Sequence, residues 1–169
     1  ELYLHHFPVH ARIEIMVNED KRLQATSLLQ EKLGERVMTE SSELFHASYD
    51  GLKIQGNASA CIEVDHAKQV GEVLKLAHEF QVPVTTKGAG SSLTGGATPI
   101  QGGWVLDLSK LNHLELDEKN RIARCGPGVV VYNLQSEAEK LGLFYPPDPS
   151  SKDFCTIGGN VACNAGGLR

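Results

Sequence analysis

The chain's clearest chemistry lies in residues 87–97, Lys87-Gly88-Ala89-Gly90-Ser91-Ser92-Leu93-Thr94-Gly95-Gly96-Ala97. Small residues let successive backbone N–H groups turn into one concavity, a nest suited to phosphate oxygens. Ser91, Ser92 and Thr94 add hydroxyl donors, and Lys87 adds a positive charge. The competing reading is a glycine-rich turn that binds nothing. Known nucleotide loops narrow the choice. A P-loop requires G-x-x-x-x-G-K-[ST], and no Gly-Lys-Ser or Gly-Lys-Thr follows the second glycine. The dinucleotide fingerprint requires G-x-G-x-x-G opening a helix, but Leu93 replaces the third glycine and Gly95-Gly96 would disrupt a helix starting at Ser91. Asp107 stands near the spacing of a ribose-binding acid, but with the fingerprint broken it is expected at a strand end. The loop is a phosphate cradle of another type.

A second cluster follows a stiff segment. Tyr145-Pro146-Pro147-Asp148-Pro149-Ser150-Ser151 leads into Cys155-Thr156-Ile157-Gly158-Gly159-Asn160-Val161-Ala162-Cys163-Asn164-Ala165-Gly166-Gly167. Prolines fix φ and remove donors, while glycines and alanines keep side chains from blocking a flat ligand. If residues 159–165 make a helical turn, Asn160 and Asn164 share one face and offer amides to a heteroaromatic edge. The alternative is that both amides satisfy turn backbone.

Other chemistries find little support. His5, His6 and His10 have no acidic or cysteine partner at ligand spacing. His66 and His78 are expected on the exposed face of a helix. Cys61, Cys125, Cys155 and Cys163 form no C-x-x-C pair, so free thiols in a reducing compartment are expected. Sixteen basic against twenty-one acidic side chains, a net charge of −5, argue against a nucleic-acid partner. No apolar run has the roughly 18 residues of a membrane-spanning helix, and no signal-peptide pattern opens the chain.

Positioning these clusters takes one domain of ordinary size: 169 residues, 41% hydrophobic and 22% charged. After a lead-in segment over 1–21, a helix runs through Leu23, Leu29 and Leu33 to Gly34. Residues 58–64 read as a strand. Asp65 is expected to cap a helix with Val70, Val73, Leu74, Ala77 and Phe80 inward, ended by Gln81. Residues 82–86 form the next strand, completing a β-α-β unit that delivers the chain into the glycine loop. Further strands lie at 104–108, 113–116 and 122–125, the last two joined by a turn at Asp117-Glu118-Lys119-Asn120. Gly126-Pro127-Gly128 opens a helix with Val131, Leu134, Ala138 and Leu141 inward, closed by Gly142.

Taken together, K-G-A-G-S-S-L-T-G-G-A, P-P-D-P-S-S and T-I-G-G-N-V-A-C-N-A-G-G resemble the PCMH-type FAD-binding domain of the vanillyl-alcohol-oxidase flavoproteins. Within that family they are most similar to the glycolate oxidase FAD subunit and D-lactate dehydrogenase group, over roughly residues 30–169. The resemblance implies an α+β fold of two small subdomains, about 22–97 and from about 98 onward, with FAD between them. Lys87, Gly88, Ala89, Gly90, Ser91 and Ser92 would wrap the pyrophosphate. Asp148, Pro149, Cys155, Thr156, Gly158, Gly159 and Asn160 would line the remainder, with Asn164 and Gly166 close by. Ser91 stands where some relatives carry the histidine that attaches FAD, so noncovalent binding is expected. Cys155 lies near, but not at, the cysteine that other relatives link to the ring.

The implied activity is oxidation of a small 2-hydroxy acid, with hydride passing from the α-carbon to flavin N5. Such a reaction also needs a base for the hydroxyl proton and a cation for the carboxylate. No histidine lies in a glycine motif, and the family places its catalytic groups farther along the chain, so no catalytic residue is named. The stop at Arg169, just past Gly166-Gly167, fits an expectation that the second subdomain is incomplete here. An iron–sulfur electron-accepting subunit, and a location in the cytoplasm or at the inner face of a membrane, are the implied partner and compartment. The alternative from another class is a non-catalytic flavin or nucleotide module.

Overall fold

The computed structural model describes residues 19–167. His5, His6, His10 and most of the expected lead-in lie outside the described residues. Helix α1 (Glu19–Leu33) opens on acidic Glu19 and Asp20 and closes with Lys32, matching the helix dipole at both ends. It buries Ala25, Thr26 and Leu29, whereas Leu23 faces solvent. Thr26 fixes it to the sheet: its hydroxyl donates to the Arg22 carbonyl and accepts from the indole N–H of Trp104 at 2.9 Å.

Strand β1 (Val37–Met38) and helix α2 (Ser41–Ala47) precede β2 (Ala60–Glu63). Helix α3 (Ala67–Phe80) is capped by His66 rather than Asp65. The His66 ring accepts from the Lys68 N–H, and the Gln69 side chain accepts from the His66 N–H, a reciprocal capping box. Asp65 is instead paired with Arg36. Val73, Leu76 and Ala77 form the buried face, and Leu74, expected inward, is exposed. Gln81 ends the helix in the left-handed region, φ 56°.

Strands β3 (Val84–Lys87) and β4 (Trp104–Asp107) complete a four-stranded sheet of order β1-β2-β4-β3. β2 and β3 each pair with β4 in parallel, so β4 separates the two strands of the expected β-α-β unit. Burial explains the placement. Trp104, Val105 and Leu106 are fully apolar and buried, as a central parallel strand demands, while half-exposed Val84-Thr85-Thr86 suits an edge. β4 lies beyond residue 98, so the first sheet extends past the division expected there.

The second part begins with the antiparallel hairpin of β5 (Leu114–Asp117) and β6 (Ile122–Cys125). Its turn is held by the Asp117 carboxylate, which accepts from the backbone and side-chain amides of Asn120. Helix α4 (Val131–Lys140) buries Val131, Leu134 and Ala138, while Leu141 is 37% exposed. Helix α5 (Ile157–Cys163) closes the described chain. The fold is α+β. No helix among the described residues is long and apolar enough to cross a membrane.

Candidate functional site

The loop after β3 and the residues around α5 face each other across a cleft of about 760 Å³. It opens at the carboxyl ends of β3 and β4, where Thr86, Lys87 and Leu108 join its wall, the usual ligand position of a parallel sheet. Gly88 marks the place where the two clusters touch: a side chain there would run into the Thr156 hydroxyl. Residues 87–92 all line the cleft, and so do Cys155, Thr156, Gly158, Gly159 and Asn160.

The loop's backbone donors are bare. None of the N–H groups of Gly88, Ala89, Gly90, Ser91, Ser92 and Leu93 donates a hydrogen bond among the described residues. Gly88, Gly90, Ser91 and Ser92 are half-buried, and buried backbone donors rarely stay unpaired in native proteins, so this stretch of the run suits an acceptor. Ser92 and Thr94 hydroxyls bond each other at 2.7 Å, and the Ser92 hydroxyl also accepts from the Thr94 N–H.

The opposite wall has spent all but one of its backbone donors, the Thr156 N–H. Ile157 N–H donates to the Val129 carbonyl at 2.8 Å, Gly158 N–H to the Pro127 carbonyl at 2.9 Å, and Gly159 N–H to the Thr156 hydroxyl at 3.4 Å. The first turn of α5 therefore has nothing left for an anion. What remains is that N–H and one side chain: Asn160 is 8% exposed, lines the cleft, and its Nδ2 has no partner among the described residues. Asn164 does not share its face. It caps the helix in the left-handed region, φ 50°, exposed and not among the cleft-lining residues.

Asp148, Pro149 and Gly166 also stand outside the cleft lining. Asp148 N–H donates to the Gly166 carbonyl at 2.9 Å, its carboxylate takes Lys152 Nζ at 2.8 Å, and Pro149 is buried. These contacts tie the proline segment to the end of the chain. Cys155 is buried with its N–H on the Ser151 carbonyl, and all four cysteines are free.

Lys87 is placed differently from the sequence expectation. Its ammonium donates to the carbonyls of His46, Ala47 and Tyr49 at 2.9, 3.1 and 2.8 Å. Burial pushes it below the usual lysine range, against the opposing pull of Cys61, Asp107 and Asp50. Gly90 is required for an internal reason as well: φ is +64°, and a Cβ would come within 2.7 Å of Lys87 Cε. Pro127, Ser151, Ala162, Cys163 and Ala165 also line the cleft, beyond the residues the resemblance implies. All carried a signal: Pro127 sits between Gly126 and Gly128, and Ser151, Ala162, Cys163 and Ala165 lie within the second cluster.

Fold and site define a class, and comparison with known proteins agrees. Residues 58–169 match the family described as FAD binding domain, and the chain belongs to that family. It is 43% identical over 125 residues to D-lactate dehydrogenase of Anaerostipes hadrus, covering 72% of this chain and 26% of that protein. It is 41% identical over 124 residues to the glycolate oxidase subunit GlcD of Bacillus subtilis, again 72% and 26%. The chain thus spans about a quarter of the length of these relatives. The fold matches 4-ethylphenol oxidase from Gulosibacter chungangensis with a TM-score of 0.72 at 24% identity, over 84% of this chain and 29% of that one. FAD is the cofactor this domain serves. The residues fit it: six bare N–H groups suit phosphate oxygens, and the orphaned Asn160 amide waits for an acceptor.

Proposed function

We propose that this chain is the flavin-holding portion of a dehydrogenase or oxidase of small 2-hydroxy acids, with FAD held noncovalently. The observation that supports it most is the bare donor run of residues 88–93 facing the unpartnered Asn160 amide across one cleft. Residues 88–92 would hold the phosphates, with Lys87 at the root of their loop, and Thr156, Gly158, Gly159 and Asn160 the opposite side. Asp148, Pro149, Asn164 and Gly166 would act from behind, by fixing the segment that carries this wall. When bound, FAD supplies a two-electron acceptor at its ring N5. The chain's own residues bind the cofactor, orient it and exclude water.

Glycolate and D-lactate are the favoured substrates, because relatives carrying those names share over 40% identity with this chain. Lys87 is the single charged side chain lining the cleft among the described residues, and its ammonium is engaged. The base and carboxylate clamp therefore belong elsewhere in the protein, and these residues alone should not turn over substrate. The reading extends to an iron–sulfur subunit as electron acceptor, and to a location in the cytoplasm or at the inner face of a membrane; co-purification and fractionation test both.

Acid precipitation of the full-length protein should leave yellow FAD in the supernatant; flavin in the pellet would overturn noncovalent attachment. Anaerobic mixing of full-length protein with glycolate or D-lactate should bleach the flavin band. A band that persists with both rejects the substrate class.

A further inference from the structure

A lysine at the root of a phosphate cradle is expected to face phosphate, and Lys87 faces the other way. An ammonium has three protons, and three carbonyls take them: His46, Ala47 and Tyr49. These stand at and just beyond the C-terminus of α2, where helix carbonyls lack intrahelical donors and the dipole favours a cation. The segment so held continues into Asp50 and Gly51. Asp50 is 1% exposed, and its carboxylate accepts from the Leu52 N–H at 3.0 Å. Gly51 is packed so tightly on the cradle that a Cβ would stand 2.9 and 2.8 Å from the carbonyl oxygens of Ser91 and Ser92.

That contact has a consequence for the donors. In a trans peptide the N–H points opposite to the C=O of the same plane, and the chain holds no cis peptide among the described residues. With the Ser91 and Ser92 carbonyls backed against Gly51, the N–H groups of Ser92 and Leu93 point away from it. Resting on the reading of residues 88–93 as the FAD phosphate cradle, we infer that Lys87 is a positioning residue: with the Asp50-Gly51 turn it clamps the cradle from behind and aims its N–H groups, without touching phosphate. Recognition of the pyrophosphate is then a backbone property, with no side-chain cation.

Lysine labelling of the parent protein tests this without any variant. Lys87 should resist reductive methylation equally with FAD bound and after FAD is removed, because carbonyls of the chain itself occupy it. Reactivity in the FAD-free protein that is suppressed by FAD would overturn the inference. A Lys87→Met variant supplies the second arm. It should bind FAD at least about tenfold more weakly while binding riboflavin, which has no phosphate, as the parent does. Amide exchange at Leu52 and Lys53 should quicken in FAD-free Lys87→Met, since their bonds to Asp50 depend on the clamp. Unchanged exchange, or unchanged FAD affinity, rejects the positioning role. The cradle reading fails separately, and takes this inference with it, if the parent binds FAD no more tightly than riboflavin.

Discussion

Residues 88–93 and 155–160 face one cleft with the same vocabulary of small residues, and they treat their backbone donors in opposite ways. The first run leaves six consecutive N–H groups unpaired. The second spends all of its own but the Thr156 N–H, on Ser151, Val129, Pro127 and Thr156, and presents a wall with one buried amide. The difference comes from what precedes each run. The first leaves an edge strand, β3, and no acceptor among the described residues takes its donors. The second is a short helix docked on residues 127–130, whose carbonyls accept its first N–H groups. Glycine therefore serves two ends here: open donors in one run, close approach in the other.

The largest effect should come where the runs meet. A Gly88→Val side chain would collide with Thr156 across the floor of the cleft. Overpacking of this kind costs about 1–3 kcal/mol. The expected result is a loss of FAD affinity of about a hundredfold with a lower Tm, read by flavin titration and thermal melts. Parent-like affinity would mean that the runs do not depend on each other.

The next effect belongs to the support beneath the first run. Cys61 on β2 is buried, and burial, with Asp107 second, pushes its thiol up to about 11. Between pH 9 and 11 the unfolded thiol ionises while the folded one keeps its proton, so stability present below pH 9 is lost as pH rises. A tenfold difference in proton affinity between the two states is worth about 1.4 kcal/mol, which gives on the order of 2 kcal/mol here after allowing for partial solvent access. Lys87, held low by burial, acts in the opposite sense, so a Cys61→Ala reference isolates the thiol. Urea melts should show the parent losing more stability than Cys61→Ala over that range. Parallel losses would mean that the thiol is not insulated.

Gly90 comes third. Alanine at φ +64° carries a left-handed penalty of roughly 1–2 kcal/mol, and its methyl would press on Lys87 Cε. Gly90→Ala should weaken FAD binding about tenfold and quicken amide exchange at Leu52 and Lys53 through the displaced lysine. If exchange there stays at the parent rate, Gly90 and Lys87 act independently.

Much of this was legible in the sequence, and the failures share a cause. The helix–strand alternation, the hairpin at 117–120 and both glycine motifs follow from local spacing and turn chemistry. Insertion of β4 between β2 and β3 does not, because strand order depends on which strand is most completely buried, and Trp104 decides that through its contact with Thr26 on α1. The Asp65 cap misled because Arg36, far away in sequence, claims that carboxylate. Lys87 misled in the same way: charge beside a glycine loop is a local signal, but its acceptors lie 38 to 41 residues earlier. Asn164 misled because the helix stops at Cys163 and leaves it as an exposed left-handed cap while Asn160 is buried.

The smallest effect discriminates most sharply, because its two readouts move independently. A buried donor without a partner costs about 1–3 kcal/mol, so removing it need not destabilise the protein. Asn160 Nδ2 is such a donor in the cofactor-free chain. Asn160→Ala deletes that unpaired group at the expense of a small cavity, and the two contributions oppose each other. Tm without FAD should stay within a few degrees of the parent. With FAD the amide has an acceptor to lose, and affinity should fall about tenfold, the worth of a single hydrogen bond to a ligand at about 1.4 kcal/mol. A large fall in the FAD-free Tm would show that the amide serves the fold, returning the second wall to the turn-stabilising role its sequence also allows. Equal FAD affinity would leave the cleft with one working side, and the bare N–H groups of 88–93 would carry recognition alone.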